Sequence, residues 1–411
     1  MNRKNLRRIL AALLWALAPS AAHAVHLGLG NAVAGQGAKV TDKAANPLPS
    51  CGGNFLLFTQ APVTDPNLVN ITPLGSQSSH ILPPDHMYFN DLTFNNPTQK
   101  LFAPSDGWVV QVTQESYSTG LATSYFIGFA PCREVVLNFL GISSISSALQ
   151  AGMSAAGSQT NCTPFNNGGL EIGTGCITNM QVAVKAGDIL GTGAVGDFGP
   201  LEDSRVQLQG FANPSRHNLN RGFCPLNYFV PNALPAGQYS TGSNIGSTVI
   251  PRTTPPLCGT IVQDVLGTAQ GDWYFPGADT SNEFAQMALV HDSVFTSTGV
   301  FSVGTSVVNF GGVFQGKDYY TTKAAADGTR IDYDFSLVND NQVYCYDGFT
   351  NAPLFGSTPI VNLNGFIALV QLTDAPKATL QIEVQDPGTN CAAAEQAGTW
   401  PFTIAAQIFQ R

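Results

Sequence analysis

Hydrophobic positions along this chain come in short runs and in strict alternation, and seldom at helical spacing. Trp108–Val112, Tyr125–Phe129 and Val135–Phe139 are apolar runs bounded by turn residues, as strands are. Val182–Gly191 reads as a strand, a tight Lys-Ala-Gly-Asp turn and a second strand. Farther along, Ile331, Tyr333, Phe335 and Leu337 alternate with Asp332, Asp334 and Ser336. Leu380, Ile382 and Val384 alternate with Gln381, Glu383 and Gln385 in the same way. A period of two marks a strand with one wet face, so both segments are predicted strands. Residues 366–372 and 399–409 are predicted as further strands. Only residues 142–156 place Ile142, Ile145, Leu149 and Met153 at helical spacing, which predicts a helix there.

The punctuation divides the chain. Residues 25–50 are Gly/Ala-rich and read as an N-terminal tail. Residues 51–230 form a first β domain. Residues 231–264, rich in Pro, Gly and Ser, read as a linker or long loop. Residues 265–411, with short strands between turns, read as an antiparallel β-sandwich. The fold class expected is therefore mainly β. Composition agrees. Of 411 residues only 11% are charged, against a usual share of about 25%, and Gly (42) and Pro (26) supply many turns.

The N-terminus changes where the protein is expected to work. Arg3, Lys4, Arg7 and Arg8 precede the apolar run Ile9–Ala18, and Ala22-His23-Ala24 is a small-x-small cleavage site. Residues 1–24 therefore read as a signal peptide cleaved after Ala24. The apolar run is too short for a bilayer, which takes about 20 residues, and no later stretch predicts a transmembrane segment in the mature chain. The expected location is periplasmic or secreted. The formal charge of −9 becomes about −13 once the basic leader is removed, which disfavours nucleic acid as a partner.

All eight cysteines follow the leader: Cys51, Cys132, Cys162, Cys176, Cys224, Cys258, Cys345 and Cys391. An even count behind a signal peptide reads as disulfides, and the C-x-x-C pairs of a zinc site are missing. Eight cysteines permit on the order of a hundred pairings. Closure of local segments favours Cys162–Cys176, Cys345–Cys391 and Cys224–Cys258, which leaves Cys51 with Cys132.

Two turns carry a family resemblance. Leu101-Phe-Ala-Pro-Ser-Asp-Gly-Trp-Val-Val110, paired with Val184-Lys-Ala-Gly-Asp-Ile-Leu-Gly191, resembles the lysostaphin-type zinc endopeptidases, which cut peptidoglycan cross-bridges. More broadly it is similar to the duplicated hybrid motif, and it covers roughly residues 80–212. The resemblance implies a zinc site built from a His, an Asp four residues later and a late His-x-His, with a further His assisting the bound water. Zinc needs about three protein ligands and an open position to make its water reactive near pH 7. His86 stands at the first ligand position. Four residues later is Asn90, a poor ligand, with Asp91 beside it. The middle His would fall near Gly141, and the late pair within Glu202–Leu208, which holds no His. His86 and Asp91 are thus the metal-site candidates of a degenerate site, which Glu202 or Asp203 would have to complete.

Other chemistries leave weaker marks. Ser78-Ser79-His80 puts a serine beside a histidine, but adjacent residues seldom aim at each other, and it reads as a polar loop. Asp197, Glu202, Asp203 and Glu115 are the carboxylates a glycosidase or a calcium site could use, and a solvated acidic loop is the plain reading. Asp332 and Asp334 would share one strand face. Gly191-Thr-Gly-Ala-Val-Gly196 matches a nucleotide fingerprint only superficially, since no helix follows it. Tyr319-Tyr320, Trp273-Tyr-Phe275 and Tyr344-Cys-Tyr346 could line a sugar platform, or else form core.

With most ligands of the resembled site replaced, the residues favour a non-catalytic peptidase-like protein that binds or scaffolds a cell-wall or envelope polymer or protein. No cofactor is expected. Zinc enters only under the alternative, a divergent metal-dependent peptidoglycan hydrolase or carbohydrate-active enzyme with altered active-site residues.

Overall fold

The computed structural model describes residues 47–411 except 66–67, 77–79, 92–98, 119–122, 158–160, 168–169, 194–195, 236, 246–247, 279–282, 305–315, 322–327, 350–364, 375–378 and 396–397. The predicted leader and most of the tail lie outside these residues, as do Ser78 and Ser79 and the side chains of Asp91, Tyr319 and Tyr320.

The protein is mainly β, with antiparallel sheets. In the first half the strands are β1 (Leu68–Thr72), β2 (Met87–Asp91), β3 (Lys100–Phe102), β4 (Gly107–Tyr117), β5 (Ser124–Cys132), β6 (Val135–Ile142), β7 (Ser144–Ile145), β8 (Asn161–Asn167), β9 (Leu170–Val184), β10 (Ile189–Thr192), β11 (Asp197–Asp203) and β12 (Arg221–Phe223). The main sheet runs β1-β2-β11-β6-β5-β4-β9-β8, with β12 on β11, and β3-β10-β7 form a small sheet beside it. A hairpin of β13 (Gly242–Ile245) and β14 (Thr248–Pro251) follows.

Strand β4 shows how sequence becomes packing. Strict alternation would set Val109 and Val112 on opposite faces. A register shift between Val109 and Gln111 reverses the parity, so both reach the main core with Ile127, Phe129, Leu137, Phe139 and Phe198. The reverse face holds a smaller cluster of Leu48, Ala130 and Val136, with Trp108 and Val110 against it.

The predicted helix is shorter than 142–156. It is α1 (Ser147–Ala155), and Ser146 caps it by accepting from the Leu149 amide at 3.4 Å. Ile142 instead ends β6, and Ile145 pairs with Gly191 in the small sheet. Gly152 lets α1 lie close on β9, since a Cβ there would meet the Val182 and Met180 side chains at 2.4 and 2.6 Å.

In the second half β15 (Gly271–Tyr274), β16 (Gln286–His291), β17 (Thr298–Val303), β18 (Gly316–Thr321), β19 (Tyr344–Tyr346), β20 (Ile367–Asp374), β21 (Thr379–Gln385) and β22 (Gln407–Gln410) form one sheet, in the order β18-β17-β16-β15-β22-β21-β20-β19. The sheet bends on itself like a sandwich, so Phe301 of β17 meets Tyr346 of β19 edge-to-face, ring centres 5.2 Å apart. Strand β21 keeps the expected alternation, with Leu380 and Ile382 in the core.

Two predicted strands are corrected. Residues 331–337 do not form a strand. Arg330 and Asp332 adopt positive φ, and Asp334 accepts from the Ser336 amide, which winds Phe335–Leu337 into a 3-10 turn. Local side-chain bonding competes with the sheet ladder there. Asp332 and Asp334 accordingly share no strand face. Of the predicted strand 399–409, only the part within Gln407–Gln410 lies in a strand, β22. Glu383 accepts from both the amide and the hydroxyl of Thr403, which holds the preceding residues in a turn.

Four disulfides, Cys51–Cys132, Cys162–Cys176, Cys224–Cys258 and Cys345–Cys391, lock these elements; the last three are the expected local closures and the first is the pair left over. Residues 231–264 pack on the first core through Tyr239 and Ile261. No helix among the described residues is long and apolar enough to cross a membrane.

Candidate functional site

The two turns that carry the family resemblance lie against each other. Asp106 accepts hydrogen bonds from the Lys185 ammonium at 2.8 Å and the Ala186 amide at 2.9 Å. The backbone continues the contact, with the Ala103 amide on the Asp188 carbonyl and the Gly187 amide on the Ala103 carbonyl. Lys185 holds the exposed Asp106 carboxyl below its ordinary range.

His86 sits at the entry to β2, 4% exposed. Its Nδ1 lies 3.1 Å from the Asp85 carboxylate and its Nε2 lies 3.1 Å from the Tyr88 hydroxyl. This geometry fits Nδ1–H donating to Asp85 and Nε2 accepting from Tyr88. Asp197 follows at 3.8 Å from Nε2, and the ring of His80 stands edge-on with its centre 5.0 Å away. Gly199, at φ +112°, makes room for this packing, since a Cβ there would lie 3.3 Å from the His86 Cα.

A partly buried ion-pair chain backs the histidine. Arg221 of β12 bonds Asp85 through Nε and reaches Glu202 of β11 at 3.3 Å. Burial opposes ionisation of Asp85, but Arg221 and His86 outweigh it and hold its carboxyl well below the usual range. For Glu202 burial wins over Arg221, and its carboxyl is raised. His80 pairs with Glu283 of the second half at 3.1 Å. Burial alone would lower His80, but Glu283 reverses the sign and raises it.

The remaining positions of the resembled zinc site are bound elsewhere. Asn90 donates to Asn70 at 2.8 Å and to Thr72 at 3.0 Å, on β1. Asp91 closes β2 opposite Leu68, five residues beyond His86 and about 16 Å along an extended strand. Gly141 offers no side chain. Asp203, fully buried, accepts from Arg205 at 2.7 and 2.9 Å and from the Tyr228 hydroxyl at 2.8 Å. Asn90 and Asp203 are thus engaged by internal partners and Gly141 carries no ligand atom, so these positions do not fit a zinc ion. Among the described residues the one group of three close ligand atoms is Cys51, Cys132 and Glu134, within 4.8 Å of one another, and its two sulfurs are joined in a disulfide.

Sequence reasoning could not place Glu115 on the sheet face it shares with Asp197. Val112 faces the core, so Glu115, three residues on, faces the reverse side of the sheet. Asp197 precedes the core residue Phe198 and lies on that same side. Burial pushes the Glu115 carboxyl up to about 7, against the opposing hydrogen bond from Tyr117 at 2.8 Å and with added repulsion from Asp197.

The aromatic runs considered for a sugar platform are mostly core. Trp273, Tyr274, Tyr344 and Tyr346 are all buried, and Phe275 is partly open. Asp332 accepts from the Asp347 amide at 3.0 Å, while Asp334 lies 2.9 Å from His291, so neither is a spare cation ligand.

No family model, no curated protein and no solved structure matches the chain.

Proposed function

We propose that this is a secreted or periplasmic, non-catalytic peptidase-like protein that binds or scaffolds a component of the cell envelope. The observation that carries this reading is the state of His86. Both ring nitrogens are engaged inside the protein, by Asp85 and Tyr88. A metal ligand needs one of them free.

The surroundings support the same reading. Arg221 neutralises Asp85 and faces Glu202, and Asp203 is tied to Arg205 and Tyr228. Such a chain holds β2, β11 and β12 together, as a structural ion-pair network does. Four disulfides belong with an oxidising compartment, which a signal peptide at 1–24 would reach. The acidic charge turns the protein away from anionic polymers except at local basic patches.

The test is co-sedimentation of the mature protein with insoluble peptidoglycan and with envelope extracts, beside a turbidity assay for wall digestion. The expected result is retention on an envelope fraction with no loss of turbidity. Wall digestion abolished by His86→Ala would overturn the reading.

A further inference from the structure

The two halves meet along a seam in which one histidine is largely enclosed. Phe211 belongs to the first core, and its ring stacks on His217 with centres 3.6 Å apart and planes 11° from parallel. On the other side, the His217 Nε2 lies 3.0 Å from the Tyr274 hydroxyl and 3.9 Å from an Asp272 carboxyl oxygen. Both residues are on β15, in the second half. Asp264 clamps the same seam, accepting from the Ala212 amide at 2.6 Å and from the Asp272 amide at 2.7 Å.

We infer that His217 is an acid-sensitive latch between the two halves, closed while its ring is neutral and released when the ring gains a proton. The contact fits the Tyr274 hydroxyl donating to Nε2, where only a neutral ring can accept. A protonated ring would turn Nε2 into a donor, force the Tyr274 hydroxyl to turn and accept, and place a charge between the Phe211 face and β15.

The charged groups around the ring do not cancel this effect. Asp272, the nearest carboxyl, is buried beside Asp264, and burial with that neighbour raises it well above the ordinary range. A carboxyl raised in this way compensates an acid-charged ring less than a freely ionising one would. Asp264 is already occupied by two amides. Arg216, 5.0 Å over the Tyr274 ring, and Arg411, stacked on Trp273 at 4.1 Å, add positive charge nearby. Glu283, near Asp272, pairs with His80.

The sign follows from burial, which pushes His217 down to about 4 against the pull of Asp264. The folded protein therefore prefers the neutral ring. Its contribution to the seam is complete above the free value of 6.5 and is lost as pH falls from there to about 4. His80, raised by Glu283, titrates in the opposite sense and does not weaken over this range.

The experiment is small-angle scattering on the mature protein between pH 7.5 and 3.5, with circular dichroism to follow the β structure. Wild type should expand reversibly between pH ~6 and ~4 while its β signal persists. His217→Gln cannot take a proton but can still accept from Tyr274, so it should stay compact over that range. Tyr274→Phe removes the hydroxyl and should move the expansion to higher pH, which keeps the test decisive if the glutamine variant misfolds. A wild-type radius unchanged to pH 3.5, or an expansion at the same pH in all three proteins, would overturn the latch.

Discussion

Asp85 and Arg221 are 136 residues apart in sequence and share a largely buried ion pair, which ties the entry of β2 to β12 beside His86. The pair supports the proposal that His86 is structural. Asp85 is fixed by the guanidinium, and it in turn fixes the imidazole.

Removing one partner should be costly. Arg221→Ala leaves Asp85 and Glu202 facing each other without a cation, and should lose about 3–5 kcal/mol. Urea unfolding reads this as a lower midpoint. Asp85→Asn in the same chain should recover part of the loss, because it removes the stranded charge.

Glu115 should make stability fall as pH rises. Its folded carboxyl, raised to about 7 from 4.5, holds a proton that the unfolded chain has already lost, so stability drops between those two values. Glu115→Gln removes that slope. Thermal unfolding at pH 5 and pH 8 should show the variant gaining on wild type by about 3 kcal/mol at the higher pH.

The disulfides should contribute according to the segment each closes. Cys345–Cys391 spans 46 residues and Cys162–Cys176 spans 14. Chain entropy assigns them about 4 and about 3 kcal/mol respectively. Paired Cys→Ala variants, compared by urea midpoint, check both the size and the order.

Much of this architecture was legible in the sequence, and the failures have physical causes. Alternation along Leu380, Ile382 and Val384 marked β21 because one face is core. The same alternation misled at Phe335, where the Asp334 side chain captures the Ser336 amide and displaces a ladder bond. The helix start was misplaced because Ile142 and Ile145 serve strands and Ser146 provides the cap. At the site, His86 could be singled out from the turn pattern, but its backing could not. Arg221 reaches it from β12, and Glu115 shares a sheet face with Asp197 only through the order β11-β6-β5-β4. Those relations are set by strand pairing, which residue spacing does not encode.

Zinc content of the purified mature protein tests the central claim most directly. After equilibration with excess zinc and removal of the unbound ion, elemental analysis should find well under one zinc per chain, with no difference between wild type and His86→Ala. One tightly held zinc per chain, lost in His86→Ala, would contradict the account.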